Sequence, residues 1–242
     1  MISLTDVTRS FPARHTGAEL LALEGMSLSV AAGEVVAVVG PSGCGKTTLL
    51  ELVCGLQRPD AGSVVSAPAV LMAQRDLLLP WLSAADNAAL TLRLHGHSRA
   101  QARAAVEPWF ERLGLRGFER ARTHELSGGM RQRVSFLRTL LSGKPVLALD
   151  EPFAALDALT RAEMQQWLAR ALADARPQRT VLLVTHDVEE AVLLGDRVVV
   201  LSPRPGRVVL DLPVELDRPR ARTDSRVVAL RARALAALGV RA

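Results

Sequence analysis

The chain has no tyrosine, only two cysteines, and only two lysines among its thirty basic residues. Two cysteines cannot frame a disulfide-stapled fold, so Cys44 and Cys54 are expected as free thiols in a reducing cytosol. No apolar run exceeds five residues, far below the roughly twenty that a membrane-spanning helix needs. The opening Met1-Ile2-Ser3-Leu4-Thr5-Asp6-Val7 alternates like a strand and lacks the charged start and apolar middle of a signal peptide. Disorder is excluded by composition, with 49% of residues hydrophobic. A broad basic face for nucleic acid is not expected either. Residues 216–242 carry seven arginines against Asp217 and Asp224, which accounts for the whole net charge of +5, and the remaining 215 residues sum to zero.

Against that background one loop stands out, Gly40-Pro41-Ser42-Gly43-Cys44-Gly45-Lys46-Thr47. It follows the apolar run Val35-Val36-Ala37-Val38-Val39, which reads as a buried parallel strand. It precedes a stretch, Thr48 to Cys54, with Leu49, Leu50, Leu52 and Val53 at helical spacing, and Gly55 stands where a helix ends. Strand, glycine loop and helix together make a phosphate cradle: backbone amides and a helix N-terminus face an anion, and the glycines let the backbone approach. Lys46 would neutralise β/γ-phosphate charge and Thr47 would ligate Mg2+. A lysine at this position, in a chain otherwise committed to arginine, suggests that a compact ammonium is required where a planar guanidinium would not fit. Cys44 lies amid the cradle, so its alkylation is expected to block nucleotide binding and nucleotide to slow its labelling.

Further residues fall at chemically suggestive places. Phe11 is the only aromatic ahead of the loop, readable as a base-stacking ring or as a core residue. Strands are expected at 23–30, 63–66 and 69–73, with a polar loop around His15, Thr16 and Gly17. Gln74, at a strand's carboxyl end, would face the ligand crevice of an open α/β sheet. Residues 76–142 turn rich in Leu, Ala and Arg, with helical patterns at 84–94, 100–113 and 130–141, and read as a helical lobe inserted in the α/β core. There the apolar Leu77-Leu78-Leu79-Pro80-Trp81-Leu82 is either lobe core or a docking surface. His95 and His97 flank Gly96 without the further ligands a metal site needs. Ser127-Gly128-Gly129 opens a helix and can bind an anion or simply cap it. Val146-Leu147-Ala148-Leu149 reads as a strand ending in Asp150-Glu151, a carboxylate pair suited to a metal shell and to polarising water. Asp157 follows, and a strand at 181–185 ends at His186. The tail has apolar residues at helical spacing, fitting a helix docked on its own domain better than a membrane or partner contact.

These residues together resemble the ATP-binding-cassette ATPases over about residues 1–210. The resemblance implies an α/β fold: a P-loop NTPase (RecA-like) core at about 1–75 and 143–215, an N-terminal antiparallel β subdomain, an inserted α-helical subdomain at about 76–142, and a basic tail at 216–242. It implies ATP and Mg2+ as ligands. Phe11 takes the adenine-stacking place, Gly40 to Thr47 with Thr48 the Walker A loop, and Gln74 the Q-loop position, where it joins Thr47 and Asp150 at the metal. Ser127, Gly128 and Gly129 form the signature loop, Asp150 and Glu151 close Walker B, Asp157 belongs to the D-loop, and His186 is the switch histidine. Met130 stands where the family usually has Gln, and Phe11 where it usually has Tyr. Leu78-Leu79-Pro80-Trp81, the run from Gly128 to Val134, and Ser202-Pro203-Arg204-Pro205-Gly206-Arg207 resemble importers of the nitrate/sulfonate/taurine group, which has relatives carrying pyrimidine precursors. The resemblance therefore implies a peripheral ATPase on the cytoplasmic face of the inner membrane. Its partners would be a second copy, integral-membrane permease subunits and an extracytoplasmic solute-binding protein, with no nucleic acid. The competing readings are a soluble ATPase of this family not coupled to transport, and a nucleotide-binding module without turnover.

Overall fold

The computed structural model describes residues 1–12, 19–174 and 179–239; the polar loop around His15 lies outside them. Its contacts separate two compact units, one of Met1–Leu71, Pro145–Glu151 and Gln165–Ala242, the other of Met72–Lys144 and Pro152–Met164.

In the first unit, strands β1 (Ile2–Pro12), β2 (Glu19–Val30) and β4 (Ala61–Ser66) form an antiparallel sheet in the order β2-β1-β4. Alternation starts as the sequence predicts, with Ile2 and Leu4 buried. It then slips at a bulge where Asp6 takes φ 47°, so that Val7 turns inward. The second sheet has the order β5-β6-β7-β3-β8-β9, built from β3 (Val35–Val39), β5 (Ala69–Met72), β6 (Val146–Asp150), β7 (Thr180–Thr185), β8 (Arg197–Leu201) and β9 (Val208–Pro213). Strands β6, β7, β3 and β8 run parallel and β9 returns antiparallel. Every residue of β3, β6 and β7 is buried, the signature of strands covered on both faces.

Helix α1 (Lys46–Val53) turns Leu49, Leu50, Leu52 and Val53 into a core cluster with Val36, Val38, Ala148, Leu182 and Val184. Each such side chain contributes about 1.5–3 kcal/mol on full burial. Helix α7 (Val188–Leu194) and the tail helix α8 (Ser225–Ala237) belong to the same unit, and α8 packs on α7 and β9 with Val227 and Ala234 buried.

The second unit holds α2 (Ala84–Ala88), α3 (Leu90–Leu94), α4 (Arg99–Arg112) and α5 (Gly128–Leu140). The single helix expected over 84–94 is two short ones, interrupted at Ala89. Ser83 caps α2, accepting the Asp86 N–H, and the buried Asp86 carboxylate takes the guanidinium forks of both Arg99 and Arg103. Fully buried Asn87 bonds both the N–H and the carbonyl of Leu79, which shapes the segment after Gln74. Ala102, Val106 and Phe110 bury one stripe of α4, and Phe136 packs on Phe153 with ring centroids 6.1 Å apart. Asp157 immediately precedes helix α6 (Ala158–Asp174), and its carboxylate accepts the Thr160 N–H at 3.0 Å. Among the described residues no helix is long and apolar enough to cross a membrane.

Candidate active site

The parallel order β6-β7-β3 lays three strand ends side by side, with Asp150 opposite Val184 and Val39 opposite Thr185. Each strand then releases a chemically loaded segment at the same edge: the glycine loop after β3, Glu151 after β6, His186 after β7. A crevice at the carboxyl ends of parallel strands is where open α/β sheets take ligands.

The loop is wound tightly enough to demand its glycines. Gly45 sits at φ 100°, and a Cβ there would lie 2.7 Å from the Ala22 carbonyl oxygen and 2.7 Å from Leu23 Cδ2. Lys46 is 7% exposed, and its ammonium donates to the Gly40 carbonyl at 2.7 Å and the Pro41 carbonyl at 3.1 Å. The charge is thus held across the mouth of the loop by the backbone that would surround a phosphate. Thr48 is buried at the start of α1.

Thr47 Oγ1 donates to Asp150 Oδ2 at 2.8 Å. Burial pushes the Asp150 carboxyl above its ordinary value, the Thr47 bond pulls it back, and the neighbouring Glu151 charge raises it again. A hydroxyl and a carboxylate meeting beside a lysine are the hard-oxygen donors Mg2+ prefers, so the residues present fit the ion.

Glu151 takes φ 47°, a conformation that costs a non-glycine residue energy, and its N–H is anchored to the Val184 carbonyl at 2.9 Å. Its Oε2 lies 3.3 Å from His186 Nδ1. A carboxylate and an imidazole in contact at the rim of a phosphate cradle can between them hold a water and a phosphoryl oxygen.

Phe11 stands half-buried near the end of β1, paired with Leu20, and the Arg9 guanidinium lies 4.8 Å above its ring. Arg9 is in turn held by Asp60 at 2.5 Å. Gln74 lies exposed in the bend after β5. The helical unit holds its own constellation. Ser127 caps α5 through the Met130 N–H at 3.2 Å, and a Cβ on Gly129 would come 3.2 Å from Leu156 Cδ2, next to Asp157. Arg131 pairs with Asp76 at 3.0 Å, and Arg138 donates to the carbonyls of Asp76 and Leu77. These contacts tie the segment after Gln74 to α5. Its Leu78 is buried, while Leu77 and Trp81 are 61% and 67% exposed.

Two features escape sequence reasoning. The Cys44 side chain turns beneath the loop into the core, 1% exposed, and burial raises its thiol pKa. The expectation of a thiol open to alkylation amid the cradle is therefore corrected: the Cys44 side chain is buried beneath the loop, against Gly40. Arg204, in a phrase noted for subgroup likeness, donates from Nε to the Gly43 carbonyl at 2.9 Å and so braces the loop. No spacing rule connects positions 161 residues apart.

The comparisons with known proteins point the same way. The family model for ABC transporters matches residues 23–154. The taurine import ATP-binding protein TauB of Yersinia pestis bv. Antiqua is 46% identical, covering 78% of this chain and 76% of its own. The aliphatic sulfonates import ATP-binding protein SsuB 1 of Pseudomonas syringae pv. syringae is 44% identical, covering 89% of each. Among solved structures, the dimeric post-hydrolysis state of the ATP-binding cassette MJ0796, bound to ADP and Pi, superposes with a TM-score of 0.79 at 26% identity. That match covers 89% of this chain and all of that one. A RecA-like P-loop core with an antiparallel β subdomain and a helical insertion is thus a fold shared with that cassette, and the chain belongs to the ABC transporter family, as an ATPase subunit homologous to the taurine and sulfonate import ATP-binding proteins.

Proposed function

We propose that this ATPase subunit powers the import of a small anion, a sulfonate, taurine or nitrate. It would work as a homodimer on the cytoplasmic face of the inner membrane, beside permease subunits and an extracytoplasmic solute-binding protein. The single observation that carries the catalytic part is the convergence of Lys46, the Thr47–Asp150 pair and the Glu151–His186 pair at one sheet edge. The names of the taurine and sulfonate relatives support the cargo class, and the dimeric cassette supports the pairing.

In this reading the loop amides and Lys46 bind the β- and γ-phosphates of ATP, and Phe11 stacks on the base. Thr47 and Asp150, with Gln74, would hold Mg2+, which would supply neutralisation of the triphosphate charge. Glu151 accepts the proton of the attacking water, and His186 holds both that carboxylate and a γ-phosphate oxygen. Positioning and charge placement carry phosphoryl transfer, since the protein has little covalent chemistry to perform. Ser127, Gly128 and Gly129 of a second copy complete the phosphate shell, with Asp157 alongside. ATP bound across both copies then favours the closed dimer, and loss of phosphate opens it. Trp81 and Leu77, exposed on a segment tied down by Arg131 and Arg138, are the surface offered to the permease.

The test is co-purification from native membranes, followed by reconstitution with the captured permease and binding protein. Turnover stimulated by a sulfonate, taurine or nitrate is the expected result. A cytosolic complex with no integral partner would overturn the import reading and leave the soluble ATPase in its place.

A further inference from the structure

The arginines of the tail do not all face water. Arg218 Nη1 donates to the Leu194 carbonyl at 2.6 Å, and Arg220 Nη1 donates to the carbonyls of Val192 at 2.6 Å and Gly195 at 2.5 Å. These oxygens sit at the C-terminal end of α7, which leaves its last carbonyls without helical donors. At the other end, the Glu189 carboxylate in the first turn of α7 receives Arg222 at 3.1 Å and Arg231 at 3.2 Å. Arg222 also donates to Gln165 Oε1 at 2.6 Å, and Gln165 donates to the buried Glu190 carboxylate at 2.8 Å. Among the described residues, four arginines of the tail thus close on one helix of seven residues.

That helix starts two residues after His186. Asp187 caps it, accepting the N–H groups of Glu189 at 2.9 Å and Glu190 at 3.2 Å, while its own N–H is fixed by Thr185 Oγ1 at 3.0 Å. Two turns of helix have no stability of their own. Its buried Val188, Ala191, Val192, Leu193 and Leu194 seat α7 on the sheet. The arginine contacts at its two ends add to what sets its axis and the direction in which the chain leaves β7 carrying the imidazole. A single exposed ion pair would contribute little, but here one carboxylate binds two guanidiniums and both ends of the helix are held.

We propose that Arg222 and Arg231 are positioning residues for His186: by holding Glu189 they fix α7 and keep the imidazole against Glu151. The inference rests on the hydrolytic role proposed above for His186. It also gives the tail's charge excess an intramolecular task.

The experiment uses the full chain with Arg222→Gln, Arg231→Gln and Glu189→Gln. Arg226→Gln on the same tail helix is the control, since Arg226 pairs with Asp224 at that helix's own N-cap. Three readouts are taken: the ATP dissociation constant, kcat for phosphate release, and the ring-nitrogen NMR signals of His186 among the five histidines. Arg222→Gln, Arg231→Gln and Glu189→Gln should each lower kcat roughly fivefold and shift the His186 signals while the ATP constant stays within about twofold. Arg231→Lys should recover most of the loss, and Arg231→Gln combined with Glu189→Gln should be no worse than Glu189→Gln alone. Unmoved His186 signals, additive losses in the double variant, or an equal loss in Arg226→Gln would each overturn the proposal. Should Arg222→Gln fail to fold, Arg231→Gln and Arg231→Lys carry the same comparison. Wild-type turnover in His186→Ala would instead sink the underlying role of His186, and the NMR arm keeps that outcome separate.

Discussion

Thr47 and Asp150, 103 residues apart in the chain, are joined by a 2.8 Å hydrogen bond from hydroxyl to carboxylate. One opens the helix behind the glycine loop and the other ends a strand two places away in the sheet, so the bond exists only because β6 and β3 flank β7. It brings two oxygens together at the edge proposed above as the metal site, and the expectations below follow from it and from its neighbours.

Asp150 has a folded pKa raised by burial. Its ionised form at neutral pH therefore costs the folded state free energy. That cost is absent when the group is protonated at low pH and is present once pH exceeds the folded pKa. Asp150→Asn should accordingly raise the melting temperature of the nucleotide-free protein at neutral pH. It should also lose the further rise that Mg2+ with ATP gives the parent chain. Differential scanning calorimetry with and without EDTA reads both effects, and an unchanged Mg2+-dependent rise would remove Asp150 from the metal shell.

Glu151→Gln keeps the shape of the 3.3 Å contact with His186 but cannot accept a proton. ATP binding should persist while phosphate release falls by about 10²–10⁴-fold, and the nucleotide-held dimer should accumulate on size exclusion. Normal turnover in this variant would move the base elsewhere.

Both thiols should be slow toward maleimide in the native protein. Cys44 is sealed beneath the loop with a raised pKa, and burial pushes Cys54 up to about 11, so little thiolate is present at neutral pH. Unfolding in guanidinium should release both to fast labelling. Rapid native labelling of Cys44 would contradict its burial.

The glycines separate backbone strain from crowding. Gly55 has φ 69° with open space around its Cβ position, whereas Gly45 at φ 100° would drive a Cβ into the Ala22 carbonyl and Leu23. Gly55→Ala should cost about 1–2 kcal/mol, the left-handed penalty alone. Gly45→Ala should cost more and weaken ATP binding with it; chemical denaturation and nucleotide titration distinguish the two. Equal costs would mean that the loop yields freely.

Much of the site was legible in the chain because its chemistry is local. The glycine spacing, the lysine and the flanking strand and helix all fall within a few residues, so Gly40 to Thr48 could be read as a cradle from order alone. Asp150-Glu151 and His186 were readable because a polar group ending an apolar strand has few packing explanations. The helical pattern over 84–94 divides at Ala89, the C-cap of α2 with φ −81° and ψ −3°, and apolar periodicity continues across it, so spacing alone does not mark the break. The sequence pattern assigns no element at α6, α7, β8 or β9, whose short apolar runs do not declare their partners.

What the sequence determined by itself was a set of candidate groups and the strands that carry them, because residue type and spacing of 2 or 3.6 are properties of neighbours. Which strand ends lie side by side, where the Cys44 thiol points, how Arg204 reaches Gly43 and why the tail's arginines converge on α7 were decided only by the tertiary structure. The arginine contacts among them span from 24 residues, Arg218 to Leu194, to 161, Arg204 to Gly43. They are set by packing order in the sheet, and no local pattern in the chain encodes that order.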